Sequence, residues 1–499
     1  MVKIGHFTLE RPEAGSAEPL YLQVVSAIET GIRDGRLRVG QRLPAERRLA
    51  ADLRISRTTA TNAYRELEAR GLLRGHVGRG TIVVGAPADA GVTTLEWGQR
   101  PSRFAAEIAR SFARSPADPA DTISFAQGWP DPSLYPRAGL EAVLRDLGDH
   151  AGGDPYAPSS AEGHGDLREA VAAWIRQQSI VVTPEQVVVT AGAQEGLALL
   201  ARAFLSAGDV VLTESPTWMG ALLAFRWAGA EVVGIPMDHH GIRADLLEDA
   251  IGRHRPKLIY TIPTFQNPTG ALMTAERRRQ VVEIATRARV PIVESDLYGR
   301  LFFDEPPPPP LKALDGAGLV IYQGSFSKMV VPGLRVGWLV APTQAVEPLI
   351  AAKMLTGVFT STLTQRIVAE FIRRHHLDPH LALLRREYRA RRDRLVATLR
   401  ERCPRLQFRV PPGGQYLWAR LPPPLTVSEV LPACREERVA VREGTPFVPE
   451  GRGDDHLRLC FAALPPRKVT QGAERLAEAI QRAAGAAARN GARATAELV

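Results

Sequence analysis

The chain has 499 residues, too many for one hydrophobic core, so at least two domains are expected. Hydrophobic residues make up 45% and charged residues 23%, and no apolar run approaches the roughly 20 residues that a membrane-spanning helix needs. The opening residues lack the apolar stretch of a secretory signal, and Cys403, Cys434 and Cys460 have the spacing of neither a disulfide framework nor a zinc site. We therefore expect a cytoplasmic protein with no membrane partner and no bound metal.

The first 85 residues are basic. They contain 14 Lys and Arg against 9 Asp and Glu, so they carry +5 of the formal net charge of +9. A basic module suggests a polyanionic partner. Because an arginine-rich composition is equally typical of an ordinary solvated surface, charge alone does not decide between the two.

Two short helices joined by a tight turn are predicted within residues 43–70. Leu49 and Leu53 recur on one face of the first helix. Ser56 is a natural N-cap for the second helix. The apolar face of this second helix is formed by Ala60, Ala63, Tyr64 and Leu67.

Arginine and hydroxyl side chains crowd the start of the second helix, which is typical of a helix-turn-helix whose recognition helix presents its N-terminus to DNA. Arg57 is placed to reach a guanine edge or a phosphate. Residues 77–84 predict a β-hairpin wing with Arg79 at its tip. Three hydroxyl residues are expected to donate hydrogen bonds to phosphate oxygens: Ser56, Thr58 and Thr59.

Residues 20–84 resemble the winged helix-turn-helix DNA-binding domain of the GntR family, and we assign residues 15–85 to this domain. The motifs that carry the resemblance are Leu43-Pro44-Ala45-Glu46-Arg47, Ser56-Arg57-Thr58-Thr59 and Gly78-Arg79-Gly80-Thr81. The resemblance implies that double-stranded DNA is contacted by Arg47, Arg57, Thr59 and Gly78. A helical dimerisation or scaffold domain remains the alternative.

The rest of the chain predicts a linker, a large α/β domain and a flexible tail. Residues 86–122 are rich in Ala, Pro, Gly and Ser, as in linkers. Residues 123–482 alternate short β-branched runs with helical patterns, which predicts a doubly wound domain with a largely parallel sheet. Residues 483–499 are expected to form the tail. The predicted strands are Val187–Thr190, Val210–Thr213, Glu231–Ile235, Leu258–Thr261, Pro291–Glu294 and Leu319–Tyr322.

Lys328 stands just past the last of these strands, within Gly324-Ser325-Phe326-Ser327-Lys328. A lysine at a strand exit, among small and apolar residues, can be desolvated enough to become the neutral nucleophile that a Schiff base requires. Ser325, Ser327 and Arg335 supply donors for a phosphate. A lysine after a serine is commonplace, so the prediction depends on the whole segment.

Companion segments follow other predicted strands, where ligand sites of open α/β sheets lie. Ala193 and Gln194 open a helix whose backbone N–H groups can bind phosphate. Trp218 is placed to stack on a planar ring. Taken singly, each segment has a structural alternative, which for Trp218 is a place in the core.

Two further segments complete the predicted pyridoxal site. Asn267 offers its side-chain amide to a ring hydroxyl, although Asn267-Pro268-Thr269-Gly270 is also a plain turn sequence. Asp296 is expected to keep the pyridine nitrogen protonated, with Tyr298 near the ring oxygen. A helix cap is the alternative role for Asp296.

Residues 123–482 resemble the class I aminotransferase group of fold type I pyridoxal-phosphate enzymes, with a small C-terminal α+β subdomain opening at residues 412–418. The resemblance implies pyridoxal 5'-phosphate held by Lys328 as a Schiff base. Arg458 matches the arginine that grips the substrate α-carboxylate. Tyr156 matches a tyrosine that reaches the phosphate of the neighbouring subunit, which implies a homodimer.

The whole arrangement resembles the MocR subfamily of regulators. It implies that an amino acid or amine displaces Lys328, forms an external aldimine and favours a different arrangement of the DNA-binding heads. A working aminotransferase is the main alternative, because Asn267-Pro268-Thr269-Gly270 has the form usual among the enzymes. A scaffold that has lost its cofactor is poorly supported, since Lys328 and Asp296 are both present.

Overall fold

The computed structural model describes residues 2–4, 7–12, 19–76, 80–84, 102, 104–106, 108, 119, 121–148 and 154–496. The chain divides into two compact units, Met1–Ala106 and Glu107–Val499. Gly78, Arg79 and nearly all of the predicted linker lie outside the described residues.

The first unit contains the predicted helix-turn-helix and wing. Its helices are α1 (Leu20–Arg33), α2 (Glu46–Leu53) and α3 (Arg57–Ala69). Strands β3 (Leu73–His76) and β4 (Gly80–Val83) pair as an antiparallel hairpin. All four residues of the predicted apolar face of α3 are buried, namely Ala60, Ala63, Tyr64 and Leu67.

An N-terminal hairpin adds to this unit. Strand β1 (Val2–Ile4) pairs with β2 (Phe7–Leu9), and the apolar side chains at the ends of both strands are buried in the same core as α1 and α3. The Phe7 ring lies so close to Gly31 of α1 that a Cβ there would come within 2.7 Å of it. The packed unit therefore begins at residue 2 rather than at the predicted residue 15.

The second unit is built on an eight-stranded sheet in the order β6-β13-β12-β11-β10-β7-β8-β9. All six predicted strands are present. Strand β13 was not predicted and runs antiparallel to both of its neighbours. The strands are β6 (Val187–Thr190), β7 (Val210–Ser215), β8 (Glu231–Asp238), β9 (Gly241–Ile242), β10 (Leu258–Thr261), β11 (Ile292–Ser295), β12 (Val320–Ser325) and β13 (Gly337–Val340).

Helices cover both faces of this sheet, as in a doubly wound fold. In β11, Val293 packs with the helices of one face, at residues 193–204, 219–227 and 343–354, while Ile292 packs with those of the other, at residues 244–254 and 275–288. The helices of the large domain are α4 (Arg137–Gly148), α5 (Gly165–Ile175), α6 (Ala193–Phe204), α7 (Met219–Trp227), α8 (Ala244–His254), α9 (Ala275–Ala288), α10 (Thr343–Met354), α11 (Thr362–Arg373) and α12 (Leu377–Arg402).

The predicted small α+β subdomain is present. Its antiparallel sheet has the order β14-β15-β18-β17, and β5 (Ile123–Ser124) pairs separately with β16 (Val439–Ala440). The last helix continues to Ala496, so residues 483–496 are helical where a flexible tail was predicted. The subdomain elements are β14 (Gln407–Phe408), β15 (Tyr416–Arg420), α13 (Val427–Glu436), β17 (Arg442–Glu443), β18 (His456–Cys460) and α14 (Pro466–Ala496).

Within the described part of the chain, no helix combines the length and the apolar character needed to cross a membrane. The same residues include no cluster of three or more His, Cys, Asp or Glu side chains placed to bind a metal ion.

Candidate functional site

A cavity of about 270 Å³ lies at the carboxyl ends of the central strands. Parallel strands place the loops that follow them at one edge of the sheet, which brings segments distant in sequence together. Most of the predicted site residues line this cavity, namely Ala193, Gln194, Trp218, Asn267, Tyr298, Ser325, Ser327, Lys328, Arg335 and Arg458.

Lys328 is almost fully buried in the cavity wall. Its Nζ donates a hydrogen bond to the backbone oxygen of Gly128 at 2.6 Å and lies 4.0 Å from the centre of the Trp129 ring. Burial lowers the pKa of Lys328 to about 7, and the positive charges of Arg458 and Arg335 act in the same direction. A substantial fraction of this amine is therefore neutral and nucleophilic at neutral pH.

Arg335 and two serines form a set of anion donors beside the N-terminus of α6. Arg335 donates to the backbone oxygen of Ala191 at 2.8 Å, and its other Nη lies 3.5 Å from Ser327 Oγ. Ser325 Oγ lies 3.1 Å from Ser327 Oγ. A Cβ at Gly192, where φ is 90°, would come within 2.7 Å of the guanidinium. This close approach suits a phosphate held by a guanidinium, two hydroxyls and helix N–H groups.

The neighbouring wall is aromatic and amide-lined. Trp218 donates through its indole nitrogen to Gln194 Oε1 at 3.4 Å. The Tyr298 hydroxyl donates a hydrogen bond to the Tyr416 hydroxyl at 3.3 Å. Asn267 is buried and accepts a hydrogen bond from Arg458 at 3.4 Å. These groups suit a flat ring that carries a polar substituent.

Two arginines from adjacent strands share the cavity. Arg442 of β17 and Arg458 of β18 are register partners, and both line the cavity. Arg458 donates to the backbone oxygen of Ala126 at 2.8 Å, and its guanidinium lies 4.5 Å from the centre of the Tyr416 ring. Burial, with the charge of Arg458 next, lowers the pKa of Arg442. Such a pair of cations favours an anionic ligand.

Asp296 does not line the cavity, and its predicted contact with the cofactor ring stays a prediction. Alternate residues of β11 face opposite sides of the sheet, and it is Ser295 that lines the cavity. Asp296 instead accepts hydrogen bonds from the Tyr322 hydroxyl at 3.0 Å and from the Gly299 backbone at 2.7 Å. These bonds hold a carboxylate whose pKa is raised by burial.

Tyr156 does not line the cavity either, and its side chain is 76% exposed. A role for it at the phosphate of a neighbouring subunit stays a prediction.

The start of α3 in the first unit exposes the predicted DNA-contacting side chains Arg57 and Thr58, and Arg47 on α2 is also exposed. The N-cap prediction is confirmed, because Ser56 Oγ accepts a hydrogen bond from the Thr59 backbone at 3.0 Å. Thr59 is half-buried and its hydroxyl lies 2.8 Å from Ser56 Oγ. Helix α3 thus presents positive charge at its N-terminal end.

Comparison with known proteins identifies both units. Residues 20–83 match the model of the gntR family of bacterial regulatory proteins, and residues 135–476 match that of aminotransferase class I and II. Over 95% of its length the chain is 32% identical to the uncharacterized HTH-type transcriptional regulator YisV of Bacillus subtilis, covering 98% of that protein. The chain belongs to the GntR-type regulators that carry an aminotransferase domain.

One further relative is a regulator, and one similar solved structure is an aminotransferase. The probable rhizopine catabolism regulatory protein MocR of Rhizobium meliloti is 31% identical over 92% of this chain and 94% of its own. The crystal structure of LysN, the alpha-aminoadipate aminotransferase of Thermus thermophilus complexed with N-(5'-phosphopyridoxyl)-L-leucine, matches with a TM-score of 0.72 and 33% identity. The match covers 78% of this chain and all of that one. The predicted resemblance to MocR-type regulators is confirmed.

Several cavity residues of this regulator were not predicted. Gly128 and Trp129 precede the first helix of the large domain, away from the predicted strands, and Arg442 belongs to a two-residue strand too short to show a pattern. Ser295 directly follows the predicted strand Pro291–Glu294, so its position at the strand end could have indicated a site residue. The prediction chose its neighbour Asp296 because a carboxylate can pair with a protonated ring nitrogen.

Proposed function

We propose that this protein is a transcription regulator that binds double-stranded DNA through α3. Its DNA affinity changes when an amino acid or amine binds in the cavity through pyridoxal phosphate. The observation that carries the proposal is that one chain joins a GntR-type domain, with Arg57 exposed on its recognition helix, to a cavity that holds buried Lys328.

The residues around Lys328 fit a phosphorylated aldehyde cofactor. The N-terminus of α6 together with Ser325, Ser327 and Arg335 binds the phosphate, and Trp218 packs on the ring. Pyridoxal phosphate, if bound, would supply an aldehyde carbon that bonds one primary amine at a time, and Lys328 Nζ would be the amine with which a ligand amine exchanges. Lys328 suits this exchange because its pKa of about 7 allows the amine both to attack and to leave.

The ligand proposed for the cavity is an amino acid or amine, with a carboxylate-bearing amine favoured. Arg458 and Arg442 lie side by side, and a guanidinium binds a carboxylate through two parallel hydrogen bonds. The Nε of Arg458 is buried with no hydrogen-bond partner among the described residues, so a further acceptor is expected beside it.

A homodimer is part of the proposal. Tyr156 is a large side chain with 76% of its surface exposed, as expected of a residue that completes the phosphate site of a second copy. Two DNA-binding units in one dimer would read two half-sites. A regulator of this type acts in the cytoplasm, where bacterial DNA lies.

The proposal requires that the ligand has different affinities for two arrangements of the dimer, since only this difference can change DNA affinity.

The test is made on one preparation of full-length protein loaded with pyridoxal phosphate. Each common L-amino acid is titrated while visible absorbance and affinity for a DNA site selected from a random pool are measured. We expect at least one amino acid to change both, with DNA affinity shifting roughly 5–150-fold. Fast turnover with an amino acid and a 2-oxo acid, with unchanged DNA affinity, would instead establish an aminotransferase.

A further inference from the structure

The charged side chains that line the cavity are all cations. They are Lys328, Arg335, Arg442 and Arg458, and none of the described residues around the cavity is Asp or Glu. The arginines match the phosphate and carboxylate groups of the expected ligands. No carboxylate among the described lining residues is available to pair with the nitrogen of a bound pyridine ring.

Hydroxyl groups occupy the side of the cavity next to the sheet. Ser295 of β11 and Tyr260 of β10 both line it, and Ser295 Oγ donates a hydrogen bond to the side-chain oxygen of Gln323 at 3.2 Å. The Tyr260 hydroxyl is buried next to that of Ser295. Burial raises the pKa of Tyr260 above its usual range, so this phenol stays protonated and remains a donor.

A pyridine nitrogen is either a neutral acceptor or, when protonated, a cationic donor. Burial disfavours the charged form, and neighbouring cations disfavour it further. A carboxylate would reverse both effects, and a pyridoxal site that uses the ring as an electron sink has such a partner for the nitrogen. Neither of two buried carboxylates near the cavity lines it. Asp296 is bound to Tyr322 and Gly299, and Glu214, whose charge acts on Tyr260, accepts a hydrogen bond from Gln266 at 2.9 Å.

We propose that this cavity holds the pyridine nitrogen of pyridoxal phosphate unprotonated, facing hydroxyl donors rather than a carboxylate, so that the site exchanges amines but does not transfer the amino group. The inference rests on the proposed function for the presence of the cofactor. It adds a chemical reason why the site senses a ligand without consuming it.

The two reactions differ in which bonds break. Amine exchange forms one C=N bond as another breaks, and no C–H bond is involved. Amino transfer also removes the proton from the carbon that bears the amine, moves that electron pair into the ring, and releases a 2-oxo acid after one water adds. Only this second reaction needs the electron sink that a protonated ring nitrogen provides.

The test is the nitrogen-15 NMR spectrum of pyridoxal phosphate, labelled at the ring nitrogen and bound to the full-length protein. We expect a resonance at the position of neutral pyridine across the pH range in which the protein is folded. We also expect that an amino acid that changes the absorbance spectrum yields no 2-oxo acid. A resonance at the pyridinium position at neutral pH would overturn the proposal, and this result needs no variant.

Two matched variants locate the cause. Ser295→Asp should move the resonance to the pyridinium position, and Asp296→Asn should leave it where it is in the wild type. A shift caused by Asp296→Asn would show that Asp296 acts on the ring and would overturn the proposal. DNA affinity is measured on the same samples. A neutral ring nitrogen with DNA affinity indifferent to every amino acid would refute the regulator while leaving this inference intact.

Discussion

Lys328 is the residue on which the chemistry of the cavity depends. Its ordinary pKa of 10.5 would leave it protonated and unreactive at neutral pH, whereas burial lowers that pKa to about 7. The neutral amine, which attacks an aldehyde, is therefore the minor form below about pH 7 and the major form above it.

We therefore expect uptake of pyridoxal phosphate by the cofactor-free protein to accelerate with pH and to level off above about pH 7. The initial rate of the absorbance change at pH 8 should exceed that at pH 6 by about tenfold, which is the ratio of the neutral amine fractions. Stopped-flow absorbance measures it. Lys328→Ala, which removes the amine, should abolish the covalent absorbance change at both values. A rate that rises only above pH 9 would contradict the lowered pKa.

The sequence was sufficient to predict Lys328, because a motif of several residues surrounds it, but not which side of the sheet Asp296 faces. Ser295 and Asp296 are adjacent at a strand end, and a shift of one residue exchanges the two faces. The distinction depends on the register of β11 against β12, where Ser295 pairs with Gln323. That register is set by pairing between strands distant in sequence, which local sequence patterns do not determine.

At the scale of elements, strands and helices with regular patterns were predicted well. Short apolar, β-branched runs predicted β6 and β10, and the capped amphipathic pattern predicted α3. Strand β13 has only four residues and was not predicted. The N-terminal hairpin has strands of three residues, too short to show a period.

We expect helix α3 to be the element that recognises DNA. Arg57 stands at its first position, exposed, and Arg57→Ala should weaken specific DNA binding by about 1–3 kcal/mol if the side chain reads a guanine. The measurement is fluorescence anisotropy with the selected DNA site and a scrambled sequence.

Arg33→Ala is the matched control, because it removes the same charge from an exposed position. Arg33 pairs with Glu29, which also pairs with Arg70 at the far end of α3. Equal loss of affinity in both variants would mean that only net charge matters and that α3 is not the recognition helix.

For the whole molecule, the predicted assembly is a dimer. The full-length protein should have the mass of two chains by light scattering at micromolar concentration. Tyr156→Phe should keep that mass while weakening cofactor binding, since it removes only the hydroxyl expected to reach the phosphate of the partner. A monomeric wild type, or a variant that binds cofactor as tightly as the wild type, would contradict this assignment.

In the proposed function, the cavity ligand and the DNA both shift one equilibrium between two arrangements of the dimer. Thermodynamic linkage makes their effects on each other's affinity reciprocal. The decisive measurement is the affinity of the cofactor-loaded protein for its most effective amino acid, followed by absorbance, with saturating specific DNA and with scrambled DNA of equal length. We expect specific DNA to change this affinity by the same factor by which the amino acid changes DNA affinity, roughly 5–150-fold. Identical amino acid affinities with the two DNAs would contradict it.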